Sequence, residues 1–108
     1  MSGLGEELSS LKRSAIVLVL LGDKVSQRIL SHLKDSIVRK LILEMRSIKK
    51  VPIPLANFLL KEFYRALSEA DDLLFQNENF FFHYSKNQEE KRNLLNYARK
   101  LDSSLKER

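Results

Sequence analysis

A chain of 108 residues with a net charge of +5 and no cysteine has the size of one domain, and it excludes a disulfide framework, a thiolate zinc site and a cysteine nucleophile. Hydrophobic residues make up 44% and charged residues 31%, too apolar a balance for intrinsic disorder. Three glycines and two prolines are too few turn residues for a many-stranded β fold, so the expected class is all-α, a compact bundle or superhelical array of about five short-looped helices.

Residues 1–8, with Gly3 and Gly5, read as a flexible lead. Ser9 or Ser10 is placed to cap a first helix over about Leu11 to Leu21, its hydroxyl accepting from an otherwise orphan backbone N–H. Lys12 and Arg13 ahead of the run Ala15 to Leu21 imitate the start of a signal peptide, but the run is far shorter than the roughly 20 residues a membrane span takes. Gly22-Asp23-Lys24 is no cleavage site, and Glu6-Glu7 spoil a positive leader. The β-branched content of Ile16 to Leu20 also suits a buried strand, while the capping residues on both sides favour a helix with a left-handed stop at Gly22.

Asp23 is placed to cap a second helix, Lys24 to Leu33, with Val25, Ile29, Leu30 and Leu33 on its buried face. Asp35 is placed to cap a third, about Ser36 to Ile48, whose stripe of Ile37, Val38, Leu41, Ile42, Met45 and Ile48 is the cleanest helical period in the chain. Val51-Pro52-Ile53-Pro54 forces an extended connector, and Pro54 suits a first helical position. A fourth helix, Leu55 to Leu74 or Phe75, is apolar over more than one stripe and is expected to touch neighbours on two sides. After Gln76-Asn77-Glu78-Asn79 come Phe80-Phe81-Phe82 and His83-Tyr84, then a last helix from about Gln88 to Leu105. The chain therefore divides into the lead, a four-helix unit over 9–75, an aromatic-rich connector over 76–87 and a C-terminal helix over 88–108.

Charge is uneven along the chain. Residues 1–50 hold ten Lys/Arg against five Asp/Glu, residues 51–85 two against five, and residues 86–108 seven against four. Arg28, Arg39, Lys40, Arg46, Lys49 and Lys50 offer a basic surface, but they are dispersed around helices and lack interleaved stacking aromatics. Nucleic acid is therefore not the expected partner, and a basic nucleic-acid-binding helical protein stands as an alternative function beside a regulatory helical domain. His32 and His83 stand far apart with no carboxylate at ligand spacing, and Asp71-Asp72 and Glu89-Glu90 are adjacent pairs that read as solvent-facing. No glycine-rich phosphate loop is present. Neither catalysis, a metal nor a cofactor is expected.

The ordered set Arg13, the small-aliphatic helix ending Leu21-Gly22, Val25, Ile29-Leu30, His32-Leu33, Val38, Leu41, Met45 and Val51 resembles the N-terminal domain of the flagellar motor switch protein FliG. The resemblance continues to Glu62-Phe63, the family's Glu-Phe pair, and resumes at Tyr97-Ala98-Arg99. It departs at Lys24 and at Lys34-Asp35-Ser36-Ile37, where the family has acidic helix openings, in the missing glycine pair before the last helix, and in the diverged stretch Asn77 to Lys91. Those departures suit a divergent second copy of FliG. A helical regulatory domain of the kind that opens the magnesium transporter MgtE would carry clustered acidic ion ligands that this basic chain lacks.

The resemblance implies a non-enzymatic adaptor of the flagellar rotor and switch complex (the C-ring), serving motility and chemotaxis. Its implied place is the cytoplasmic, inner-membrane face of the basal body, with the membrane reached only through a partner. The implied partners are the cytoplasmic C-terminal tail of the ring protein FliF and neighbouring FliG copies, as a homo-oligomer or an exchange of the last helix. The later torque-bearing and FliM-binding domains of the family lie outside these 108 residues, as expected of a piece cut from a longer member. Candidate residues for the partner groove are Ile16, Leu20, Ile29, Leu33, Phe58, Leu59 and Phe63, although apolar helical stripes more often form core. Candidates for self-assembly are Phe80, Phe81, Phe82, Tyr97 and Leu101, with a hydrophobic plug under the last helix as the alternative for the aromatics.

Overall fold

The computed structural model describes residues 9–68 and 80–106, and those residues form five α-helices, no strand and one short 3-10 turn. The helices are α1 (Ser10–Leu21), α2 (Asp23–Leu30), α3 (Asp35–Ser47), α4 (Ile53–Ser68) and α5 (Gln88–Lys106), with the 3-10 turn at Phe81–Tyr84. The run Ile16 to Leu20 is helical, as its flanking caps require. Ser9 Oγ accepts the Lys12 N–H at 3.1 Å, so the first cap forms as expected.

The helix α5 begins at Gln88 as read, but the starts of α2, α3 and α4 differ from the sequence reading, with Ile53 and Pro54 helical rather than extended. Gly22 has φ +94° and ψ 165°, an extended conformation with positive φ rather than a left-handed helical one. The reason is economy of chain: Gly22 ends α1, donating its N–H to Val19 O at 3.2 Å, and also starts α2, its carbonyl accepting the Ser26 N–H at 2.9 Å. One residue must reverse the chain, and this region of backbone space is almost confined to glycine. Asp23 and Asp35 are consequently first helical residues rather than caps, and no side chain caps either helix. Both carboxylates still lie at the positive end of a helix dipole. Pro54 is the second residue of α4, where its missing N–H costs no helical bond. The expected extension of α4 to Leu74 or Phe75 runs outside the described residues.

The helix α2 stops at Leu30 rather than Leu33 because the next three residues are used elsewhere. Leu33 and Ser85 form an antiparallel bridge, in which Lys34 N–H donates to Tyr84 O at 2.9 Å and Lys86 N–H donates to His32 O at 3.0 Å. Asn87 caps α5, its Oδ1 accepting the Glu90 N–H at 2.8 Å. Glu90 in turn accepts a 2.7 Å bond from His32 Nδ1–H, a charge-assisted contact between residues 58 apart in sequence. Glu90 is therefore not the free solvent-facing carboxylate its sequence suggests. Its pKa lies below the ordinary 4.5, chiefly through the His32 hydrogen bond, with charge on His32, a hydrogen bond from Asn93 and charge on Lys86 adding to the effect against partial desolvation.

The core is centred on α1, which packs against α2, α3, α4 and the 3-10 turn, while α5 packs on α4 and the turn. Ser14, Ala15, Ile16, Val17 and Leu18 are consecutive and all buried, which a helix achieves only when neighbours surround it. Phe63 of α4 is fully buried and meets Phe80 at 5.7 Å between ring centroids, nearly edge-on at 76°, and Phe81 at 5.7 Å. Leu94, Leu95 and Ala98 bring α5 onto this aromatic group.

Three outcomes are expected. Phe63→Ala should cost about 3–5 kcal/mol, seen in urea titration as a lower midpoint at unchanged slope. Gly22→Ala meets no atom within 4 Å of the new Cβ, so its cost is backbone strain alone. That strain should be about 1–3 kcal/mol, lowering Tm by about 5–15 °C in a calorimetric scan. Because the folded-state pKa of Glu90 is depressed, its contribution is present above the ordinary value of 4.5 and disappears as pH falls through the folded value. A pH series of denaturant midpoints should therefore show Glu90→Gln closest to the parent at the acid end and weaker relative to it above pH 5.

Candidate functional site

The structure distributes the candidate partner-binding residues unequally. Ile16, Ile29, Leu33, Leu59 and Phe63 all lie inside the common core, and Leu20 is partly buried against it. Phe58 is 42% exposed. Its place on α4 explains this: Leu55, Leu59 and Phe63 share the inward stripe, and Phe58 falls off it. Four residues further along the same face stands Glu62, whose Oε1 is buried without a hydrogen-bond partner. Phe58 thus gives the outer face of α4 one large exposed ring, while the unsatisfied oxygen of Glu62 is turned away from solvent.

Among the candidates for self-assembly, Phe80 and Phe81 are buried against Phe63, and Tyr97 and Leu101 are half-buried. The side chain of Phe82 lies outside the described residues. Phe80 and Phe81 therefore fill the space between α4 and α5 within a single chain.

Exposed apolar side chains occur where the sequence reading did not look. Val19 is 38%, Leu43 64% and Ile53 75% exposed. Leu43 was detectable, since it is out of phase with the stripe Ile37, Val38, Leu41, Ile42, Met45 and Ile48. Val19 was not, because apolar residues occupy every position around it. Val19, Ile42 and Met45 form the apolar floor of an open cleft of about 270 Å³ between α1 and α3, with Asp23 and Arg46 at its rim. The rim offers both signs of charge.

A second cleft, of about 340 Å³, lies between α2 and α5 and is lined by Arg28, His32, Asn93, Asn96, Tyr97 and Lys100. The Arg28 guanidinium carbon sits 5.1 Å from the centre of the Tyr97 ring, a cation–π contact across the two helices. Sequence spacing could not bring these groups together, because helices more than fifty residues apart meet here only through the packing of α5.

Among the described residues, no group of three or more His, Cys, Asp or Glu side chains is placed to hold a metal ion, and no helix is long and apolar enough to cross a membrane. What the surface offers is apolar side chains beside isolated charges, which suits recognition by packing and pairing. No curated protein and no solved structure matches the chain. The family model of the FliG N-terminal domain matches residues 7–84. That span takes in α1 to α4 and the 3-10 turn, with Leu21-Gly22 at the helix reversal and Leu30-Ser31-His32-Leu33 at the bridge. The chain belongs to the FliG N-terminal domain family, a component of the flagellar motor switch.

Proposed function

We propose that this domain is a non-enzymatic adaptor of the flagellar rotor, seated at the cytoplasmic face of the basal body, that holds the C-terminal tail of FliF and contacts neighbouring FliG copies. The observation that carries this reading is the family match over residues 7–84, joined to an α4 face that exposes the Phe58 ring. An amphipathic segment laid along that face would cover Phe58. Ile16, Ile29, Leu33, Leu59 and Phe63 then serve the interface by fixing the helices that present it.

Contact between copies has two supports. The cleft at Val19, Ile42 and Met45 carries opposite charges at its rim, as a head-to-tail contact repeated around a ring would use. The seat of α5 on Phe80, Phe81 and α4 could also be filled by the same helix of a neighbour, since an exchanged element reproduces its own contacts in trans. Tyr97 and Leu101 would travel with the helix.

Calorimetry with a peptide from the same organism's FliF C-terminus tests the adaptor role. Phe58→Asp should weaken binding about tenfold or more without changing the helical circular dichroism. Ile29→Asp should lose the helical signal itself, because Ile29 is fully buried. Absence of heat with the parent domain at about 100 µM peptide, a limit near 5.5 kcal/mol of affinity, would refute tail binding.

A further inference from the structure

The cleft between α2 and α5 is polar and carries two cations. Arg28 from α2 and Lys100, Asn93, Asn96 and Tyr97 from α5 line it, with His32 from the turn after α2. Among the described residues, no carboxylate pairs with Arg28 or Lys100. Glu90 is engaged by His32 at 2.7 Å and by the Asn93 amide rather than by either cation. Stacking on Tyr97 holds the Arg28 guanidinium in place while leaving its N–H fork unpaired by any acid.

We infer that this cleft is a binding site for a phosphate monoester carried by a small soluble molecule. The charge matches: two cations face a group that carries about −1.5 to −2 at pH 7. The donors match as well. A guanidinium, an ammonium and the Asn96 amide offer more N–H groups than the two oxygens of one carboxylate accept, and a phosphate presents three strong acceptor oxygens. The 340 Å³ of open space leaves room for the body of the molecule beyond its phosphate. A membrane headgroup shares this chemistry, yet among the described residues none of the exposed large apolar side chains, Val19, Leu43, Ile53 and Phe58, lines the cleft to accompany it into a bilayer. Because Arg28 falls within the family-matched span and Lys100 beyond it, a bound phosphate would tie α5 to the body of the domain.

The test is a titration of the whole chain with inorganic phosphate, followed by amide resonances in nuclear magnetic resonance, against sodium chloride at equal ionic strength. Phosphate should move the resonances of Arg28 and of Asn93 to Lys100 saturably, and chloride should not. Combined Arg28→Gln and Lys100→Gln should weaken the response by about tenfold or more. Both side chains line an open cleft, and circular dichroism verifies the fold. Combined Lys49→Gln and Lys50→Gln, which remove the same charge at exposed positions elsewhere, should leave the response within about twofold. Equal shifts with chloride, or equal loss in both double variants, would overturn the site. Sedimentation with phosphatidic acid vesicles that phosphate does not compete away would overturn the soluble ligand in favour of a membrane surface.

Discussion

Everything else in the fold follows from the enclosure of the middle of α1. Five consecutive residues, Ser14 to Leu18, are removed from water, which leaves that helix no solvent face over more than one turn. Three helices and an aromatic turn must therefore gather around it, and each brings one apolar stripe. The small side chains Ser14 and Ala15 lie among these contacts and let neighbouring backbones come close. Ser14 also leaves a buried hydroxyl without a partner, a cost accepted for close packing.

The same enclosure explains what was legible in the sequence. The amphipathic helices α2, α3 and α5 carry clear periods, and their existence and approximate spans could be read directly. The helix α1 carries no period because its middle, Ser14 to Leu18, has no wet side, and only its flanking residues identified it as a helix. Helix starts were less legible at Asp23 and Asp35, since a capping acid and a first-turn acid look alike in sequence and only backbone geometry separates them. At Asn87 the signal was present: Asn followed three residues later by Glu90 has the form of a capping box, though the Glu90 side chain turns to His32 instead.

Surface and interior were harder to separate. The family resemblance identified the kind of domain, and the match over residues 7–84 places the chain in that family. Which apolar residues face outward depends on where neighbouring helices cross, and five of the seven groove candidates prove to be core. The two clefts were invisible for the same reason, because each is bounded by helices whose contact is tertiary. His32 is the instructive case. Sequence gave it no partner, yet the bridge between Leu33 and Ser85 delivers a carboxylate to it.

That bridge also has a temporal meaning. His32 and Glu90 are separated by 58 residues, and closing such a loop costs about 3–4 kcal/mol of chain entropy before the contact returns anything. The contacts of α1 with α2 and α3 span far shorter stretches of chain and form without that cost. Chain topology therefore favours the contacts of α1 with α2 and α3 ahead of the closure that seats α5, a closure held by two backbone hydrogen bonds and the His32–Glu90 contact.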